Sequence, residues 1–161
     1  MIRETNKSLF IIFAVSLILL APSCHSDLLF TDSVVMPGNT WELSHTPEFS
    51  MLVSDTAVNS NVHFTIRTGS DYPFRNIFLF VTTTSPDGQS ITDTLQYDLA
   101  DERGNWYGKG FGDVHELDLP YKTNVFFPLT GTWVFKISHG MRMTQLKGVY
   151  DFGIRVQKVN K

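Results

Sequence analysis

The apolar residues of this chain recur with a period of two over most of its length, and few folds accept that pattern. In residues 61–67, Val62, Phe64 and Ile66 alternate with His63, Thr65 and Arg67. Successive side chains of a strand point to opposite faces, so this spacing makes one apolar face and one polar face. Trp133, Phe135 and Ile137 repeat the pattern within residues 131–138, and Tyr150, Phe152, Ile154 and Val156 repeat it near the C-terminus. Residues 77–81 are instead continuously apolar, which predicts a central strand covered on both sides. Ser85-Pro86-Asp87-Gly88 reads as a turn, because proline presets φ and glycine tolerates a positive φ. Residues 90–99 then resume as the return strand of a hairpin. Residues 140–148, with Met141, Met143 and Leu146, fit either a short helical turn or an irregular crossover. Turn signals about every ten residues suit two packed sheets. The expected fold is all-β: a single antiparallel β-sandwich, either jelly-roll or immunoglobulin-like.

Composition narrows the function classes. With 161 residues, 42% hydrophobic and 18% charged, the chain is neither disordered nor a polytopic membrane protein. The net charge is −3 and no basic cluster occurs, which excludes the phosphate contacts of a nucleic-acid binder. Cys24 is the sole cysteine, so no intrachain disulfide can form.

The N-terminus reads as an export signal. Arg3 and Lys7 precede an uncharged apolar run over residues 9–21. A helix of that length spans ~20 Å, short of the ~30 Å hydrocarbon core. Ala21-Pro22-Ser23-Cys24 follows, and resembles the lipobox of bacterial lipoproteins. The resemblance implies a cleaved lipoprotein signal over 1–23 and lipidation of Cys24. Residues 24–36 would then be a lipidated N-terminus, serving as tether or edge strand, and 37–161 the β-sandwich domain. The same residues also fit an ordinary secretory signal with Cys24 a free thiol, or an uncleaved anchor.

No stretch carries a catalytic signature. The glycine-rich residues 104–113 lack the following helix and the Gly-Lys-Ser/Thr ending of a phosphate-cradling loop. Within them, Trp106 and Tyr107 either cap the core or form a platform for a sugar or a partner chain. Asp98, Asp101 and Glu102 do not follow the alternation of a calcium loop. Asp113 and His115 could share a strand face with Asp118 nearby, but zinc needs three or four ligands. His45, His63 and His139 are isolated, and all these groups read as solvated faces and turn residues. There is no Gly-x-Ser-x-Gly elbow. The expectation is a non-enzyme with no metal, no cofactor and no catalytic residue.

A resemblance joins these pieces. Residues 93–101, Gly104-Asn105-Trp106-Tyr107-Gly108-Lys109-Gly110, Pro120-Tyr121-Lys122, Phe127-Pro128-Leu129-Thr130-Gly131, His139-Gly140-Met141-Arg142 and residues 146–155 form an ordered set of motifs. Together with the signal and Tyr72-Pro73-Phe74-Arg75-Asn76, that set resembles the gliding motility lipoprotein GldH family of Bacteroidota. The resemblance implies a lipid-anchored envelope protein of the gliding and type IX secretion apparatus, with other envelope proteins as partners. His25, rather than an acid, follows the cysteine, which favours the outer membrane; a single acid, Asp27, close behind favours its periplasmic leaflet. Loops on a rigid scaffold carry binding residues, and the candidates for partner contact are Trp106, Tyr107, Lys109, Met141 and Arg142. For Arg142 the competing expectation is a structural ion pair with Asp151 or Asp101. The rival function is a carbohydrate-binding surface lipoprotein of a nutrient-uptake system.

Overall fold

The computed structural model describes residues 27–159. The signal over 1–23 and Cys24 lie outside them. The described residues form eleven strands and no α-helix: β1 (Leu28–Val35), β2 (Thr40–Glu42), β3 (Glu48–Val53), β4 (Ser60–Gly69), β5 (Asn76–Thr84), β6 (Ser90–Asp98), β7 (Lys109–Phe111), β8 (Val114–Val125), β9 (Gly131–His139), β10 (Gln145–Lys147) and β11 (Val149–Lys158). One sheet has the order β1-β11-β4-β8-β7 and the facing sheet β3-β9-β5-β6. Every pairing is antiparallel. Two facing four-strand sets, β1-β11-β4-β8 and β3-β9-β5-β6, are those of a jelly roll, which decides between the two sandwiches expected.

The alternating strands bury the sides the sequence marks. Val62, Phe64 and Ile66 of β4, Phe135 and Ile137 of β9, and Phe152, Ile154 and Val156 of β11 all enter the core. The hairpin turn closes through the Gly88 amide on the Ser85 carbonyl at 2.9 Å, with φ +86° at Gly88. Residues 140–148 contain no helix; they cross irregularly and end in β10, which pairs with β2 as a small third sheet. Gly148 turns the chain from β10 into β11 at φ +74°, where a Cβ would collide with the backbone of Tyr72.

Two expectations are corrected. The apolar run of β5 is covered on one side only: Ile77, Leu79 and Val81 are buried, while Phe78 is half-buried and Phe80 exposed on the outer face. A two-layer sandwich gives each sheet a single covered face, so a strand apolar on both sides must show one to solvent. His139, expected on a solvated face, is fully buried at the end of β9, edge-on to Trp41 at 5.6 Å. Among the described residues, neither of its ring nitrogens makes a hydrogen bond of good geometry.

Burial lowers the pKa of His139 below its ordinary 6.5, with the Trp41 backbone and the Glu42 charge offsetting part of the shift. The unfolded chain therefore takes up this proton first as the pH falls. Stability from this group is complete well above pH 6.5 and is lost progressively as the pH falls below that value. Urea unfolding at about pH 5 should show a lower midpoint than at about pH 7.5, and His139→Phe should reduce that difference. An identical difference in the variant would assign the pH dependence elsewhere.

The two ends of the sandwich differ in what they carry. One end gathers residues 54–59, 85–89 and 126–130 with the start of β1 and the end of β11. The opposite end gathers residues 70–75, 99–108 and 140–144, the starts of β5, β8 and β11, and the β2–β10 sheet. Strands of nine or ten residues separate the ends by ~30 Å.

Candidate functional site

The five candidate contact residues lie at the second of these ends, around two hollows. Residues 99–107 form an arch held by Asp101. Its Oδ1 accepts the backbone amides of Arg103 and Asn105, each at 2.8 Å, and its Oδ2 accepts the Asn105 side-chain amide at 2.8 Å. These bonds hold the Asp101 carboxyl below its ordinary pKa, the Asn105 side chain contributing most. The Tyr107 amide then donates to the Leu99 carbonyl at 2.9 Å, and Ala100 bridges Trp106.

This backbone sends two neighbouring rings to different places. Trp106 is half-buried against the core, stacked on His115 at 5.3 Å and edge-on to Tyr72 at 6.1 Å. Tyr107 is 64% exposed. It stands with Lys109 beside an open hollow of ≈ 730 Å³ that also takes in Tyr97, Glu116, Asp118 and Arg155. The hollow is lined by charged and apolar groups alike, and one acid in it is doubly held: Asp118 accepts Arg155 at 2.6 Å and meets His63 Nδ1 at 2.7 Å. The Tyr97 hydroxyl donates to the Pro120 carbonyl at 2.8 Å, and burial pushes its pKa up to about 12. These are cross-strand ties that fasten β4, β6, β8 and β11. Among the described residues no group of three or more His, Cys, Asp or Glu could hold a metal ion.

The second hollow is apolar. Residues 140–144 fold back over β5: the Gly140 amide donates to the Phe78 carbonyl at 2.7 Å, and the Phe78 amide donates to Met141 Sδ at 3.4 Å. Met141 and Arg142 are thereby set beside Phe74 and Phe78 around a hollow of ≈ 560 Å³. Phe80 continues the apolar surface along β5, in close contact with Gly140. The ion pair expected for Arg142 does not form. Asp151 is taken by Arg67, whose Nε donates to it at 2.5 Å, and Asp101 is engaged in its own arch. Arg142 is exposed at the rim with no acidic partner among the described residues.

Phe74, Phe78 and Phe80 are the residues that sequence reasoning missed. For Phe78 and Phe80 the signal was present in β5, a strand apolar on both faces in a chain too short for a third layer; Phe74 lies in the loop before it. Aromatic residues with a neighbouring arginine are enriched at protein interfaces, and exposed apolar patches on soluble domains mark contact sites.

Fold and site together define a small jelly-roll domain with an open apolar hollow at one end. Comparison with known proteins makes the assignment specific. The GldH lipoprotein family matches residues 29–156. The chain is 34% identical over 125 residues to a gliding motility lipoprotein GldH homolog of Christiangramia forsetii, covering 73% of this chain and 77% of that one. It is 29% identical over 163 residues to the gliding motility lipoprotein GldH of Flavobacterium johnsoniae, covering 97% of this chain and 98% of that one. Among solved structures, the Yersinia pseudotuberculosis-derived mitogen aligns at 5% identity and a TM-score of 0.36, over 82% of this chain and 88% of that one. So loose a likeness carries no argument. The chain belongs to the GldH lipoprotein family and is a membrane-associated lipoprotein of the gliding motility type.

Proposed function

We propose that this lipoprotein is a non-enzymatic docking component, held by acyl chains on Cys24 at the periplasmic leaflet of the outer membrane, that binds another protein of the gliding machinery. The observation that carries the reading is positional. Phe74, Phe78, Met141 and Arg142 share one apolar hollow at the end of the sandwich opposite the one where Asp27 enters. A surface so placed projects ~30 Å away from the anchored end, within reach of a partner. Tyr107 and Lys109 line the other hollow, and Trp106 packs against the core beneath the arch.

The carbohydrate alternative calls for adjacent rings exposed as one flat platform. Trp106 spends its face on His115 and leaves Tyr107 without a coplanar neighbour, which favours a protein partner.

The test is cross-linking in native membranes followed by mass spectrometry, with the double variant Phe74→Ala/Arg142→Ala. Interface hot spots contribute roughly 2 kcal/mol or more each, so partner recovery should fall about tenfold or further, with the unfolding temperature nearly unchanged. Lys136→Ala, on the exposed face of β9 where its ammonium meets Glu48 at 3.0 Å, should leave recovery intact. Full recovery with the double variant would remove this hollow from the interface, and recovery of polysaccharide alone would overturn protein docking.

A further inference from the structure

The point where the chain enters the fold determines which end of the sandwich meets the lipid. The Asp27 carbonyl accepts the Lys158 amide at 2.7 Å, beside the start of β1. Cys24 stands three residues earlier, and three residues span at most ~11 Å when fully extended. An acylated sulfur at Cys24 therefore keeps the end formed by residues 54–59, 85–89 and 126–130 at the bilayer.

That end carries several exposed apolar side chains. A register shift in β1 between Leu28 and Phe30 marks a bulge at Leu29, and bulges re-aim side chains. Leu29, Leu52 and Val58 line a hollow of ≈ 140 Å³ between the edges of the two sheets. Leu52 is 74% exposed and Phe126 is 62% exposed. Ile91 and Leu129 extend the apolar surface on the side of residues 85–89. The charges nearby are mixed, Asp27, Asp55 and Asp87 against Lys158, so attraction to anionic headgroups is not what such an end supplies.

We propose that this rim is a second membrane contact. Leu29, Leu52 and Phe126 enter the interfacial region of the bilayer beside the acyl chains and hold the sandwich upright. The end bearing Tyr107, Met141 and Arg142 then faces away from the membrane. The proposal rests on the lipid anchor at Cys24 and adds an orientation to it. A flexible tether alone would let the domain tumble; an apolar rim at the end where the anchored chain enters gives a preferred pose. Interfacial apolar residues lie ~5–10 Å deep, at the boundary of headgroups and acyl chains.

The acylated chain has no thiol left, so one introduced cysteine gives one fluorescent label. Leu52→Cys, Phe126→Cys and, as the opposite-end control, Tyr107→Cys would be labelled in the mature lipoprotein and reconstituted in phosphatidylcholine vesicles. Labels at 52 and 126 should be quenched by a lipid spin-labelled near its headgroup and shielded about threefold from aqueous iodide; the label at 107 should show neither. Both results should persist when salt is raised from about 0.1 M to about 1 M, since screening acts on charges. Equal iodide access at all three positions in protein that still floats with the vesicles would overturn the rim contact while leaving the anchor intact. Shielding that grows with protein density, without quenching by the labelled lipid, would assign the rim to a second copy and also overturn it. Wild-type protein that fails to float would instead overturn the anchor.

Discussion

In cells carrying Cys24→Ala, palmitate labelling of the protein should fall to background and the chain should leave the membrane fraction. The size of the effect follows from chain chemistry. Each buried CH₂ contributes ~0.8 kcal/mol, one acyl chain holds a protein only marginally, and two or more make attachment lasting. The single cysteine is the only site on this chain for such a linkage, and the net charge of −3 offers no polybasic substitute. A variant whose signal is not removed would run as a larger band, so size, label and fractionation are read together. Retained palmitate in Cys24→Ala would place the modification on another atom and remove the basis of the anchor.

Trp41→Ala should bring the largest loss of stability among the substitutions considered. Trp41 lies in β2, a strand of three residues, yet it is fully buried. Its ring sits 5.0 Å from Phe152, and its indole N–H donates to the His45 carbonyl at 2.8 Å. Removing a large aromatic from a packed core costs ~3–5 kcal/mol, because the cavity only partly collapses. Domains of this kind hold only ~5–15 kcal/mol in total, so thermal unfolding should shift downward by about 10–20 °C. Trp41→Phe, which keeps a ring and loses the hydrogen bond, should cost about 1–2 kcal/mol. A shift of only a degree or two in Trp41→Ala would mean that the small β2–β10 sheet is not part of the cooperative core.

Trp41 also shows where sequence reading reaches its limit. The long strands were legible because a period of two persists over nine or ten residues; β4, β9 and β11 could be read directly from their alternation. A strand of three residues has no period to detect, so β2, β7 and β10 left no sign. The pairing of β2 with β10 joins residues far apart in the chain, as in Leu146 opposite Trp41. His139 was misread for the same reason: nothing local distinguishes a histidine at the end of a strand from one beneath a tryptophan a hundred residues away in sequence. Arg142 was given a structural partner that Arg67 had already taken through the register of β4 with β11.

The candidate site divides along the same line. Tyr107, Met141 and Arg142 were legible as loop residues, whereas Lys109, read in the same loop, opens the short strand β7. The apolar patch that completes the second hollow was visible only as a strand with one apolar face too many. That surplus could be assigned to solvent once the sandwich was known to have two layers.

What the chain determined by itself was the all-β class, the family motifs and the alternation that tells each long strand which side to bury; all of these are local patterns carried by residues a few positions apart. What only the tertiary structure decided was the jelly-roll order of the strands, the burial of Trp41 and His139, and the gathering of the candidate contact residues at one end with the entry point at the other. Those depend on contacts between residues far apart in sequence, and they are set by which faces must pack together to exclude water rather than by any single segment.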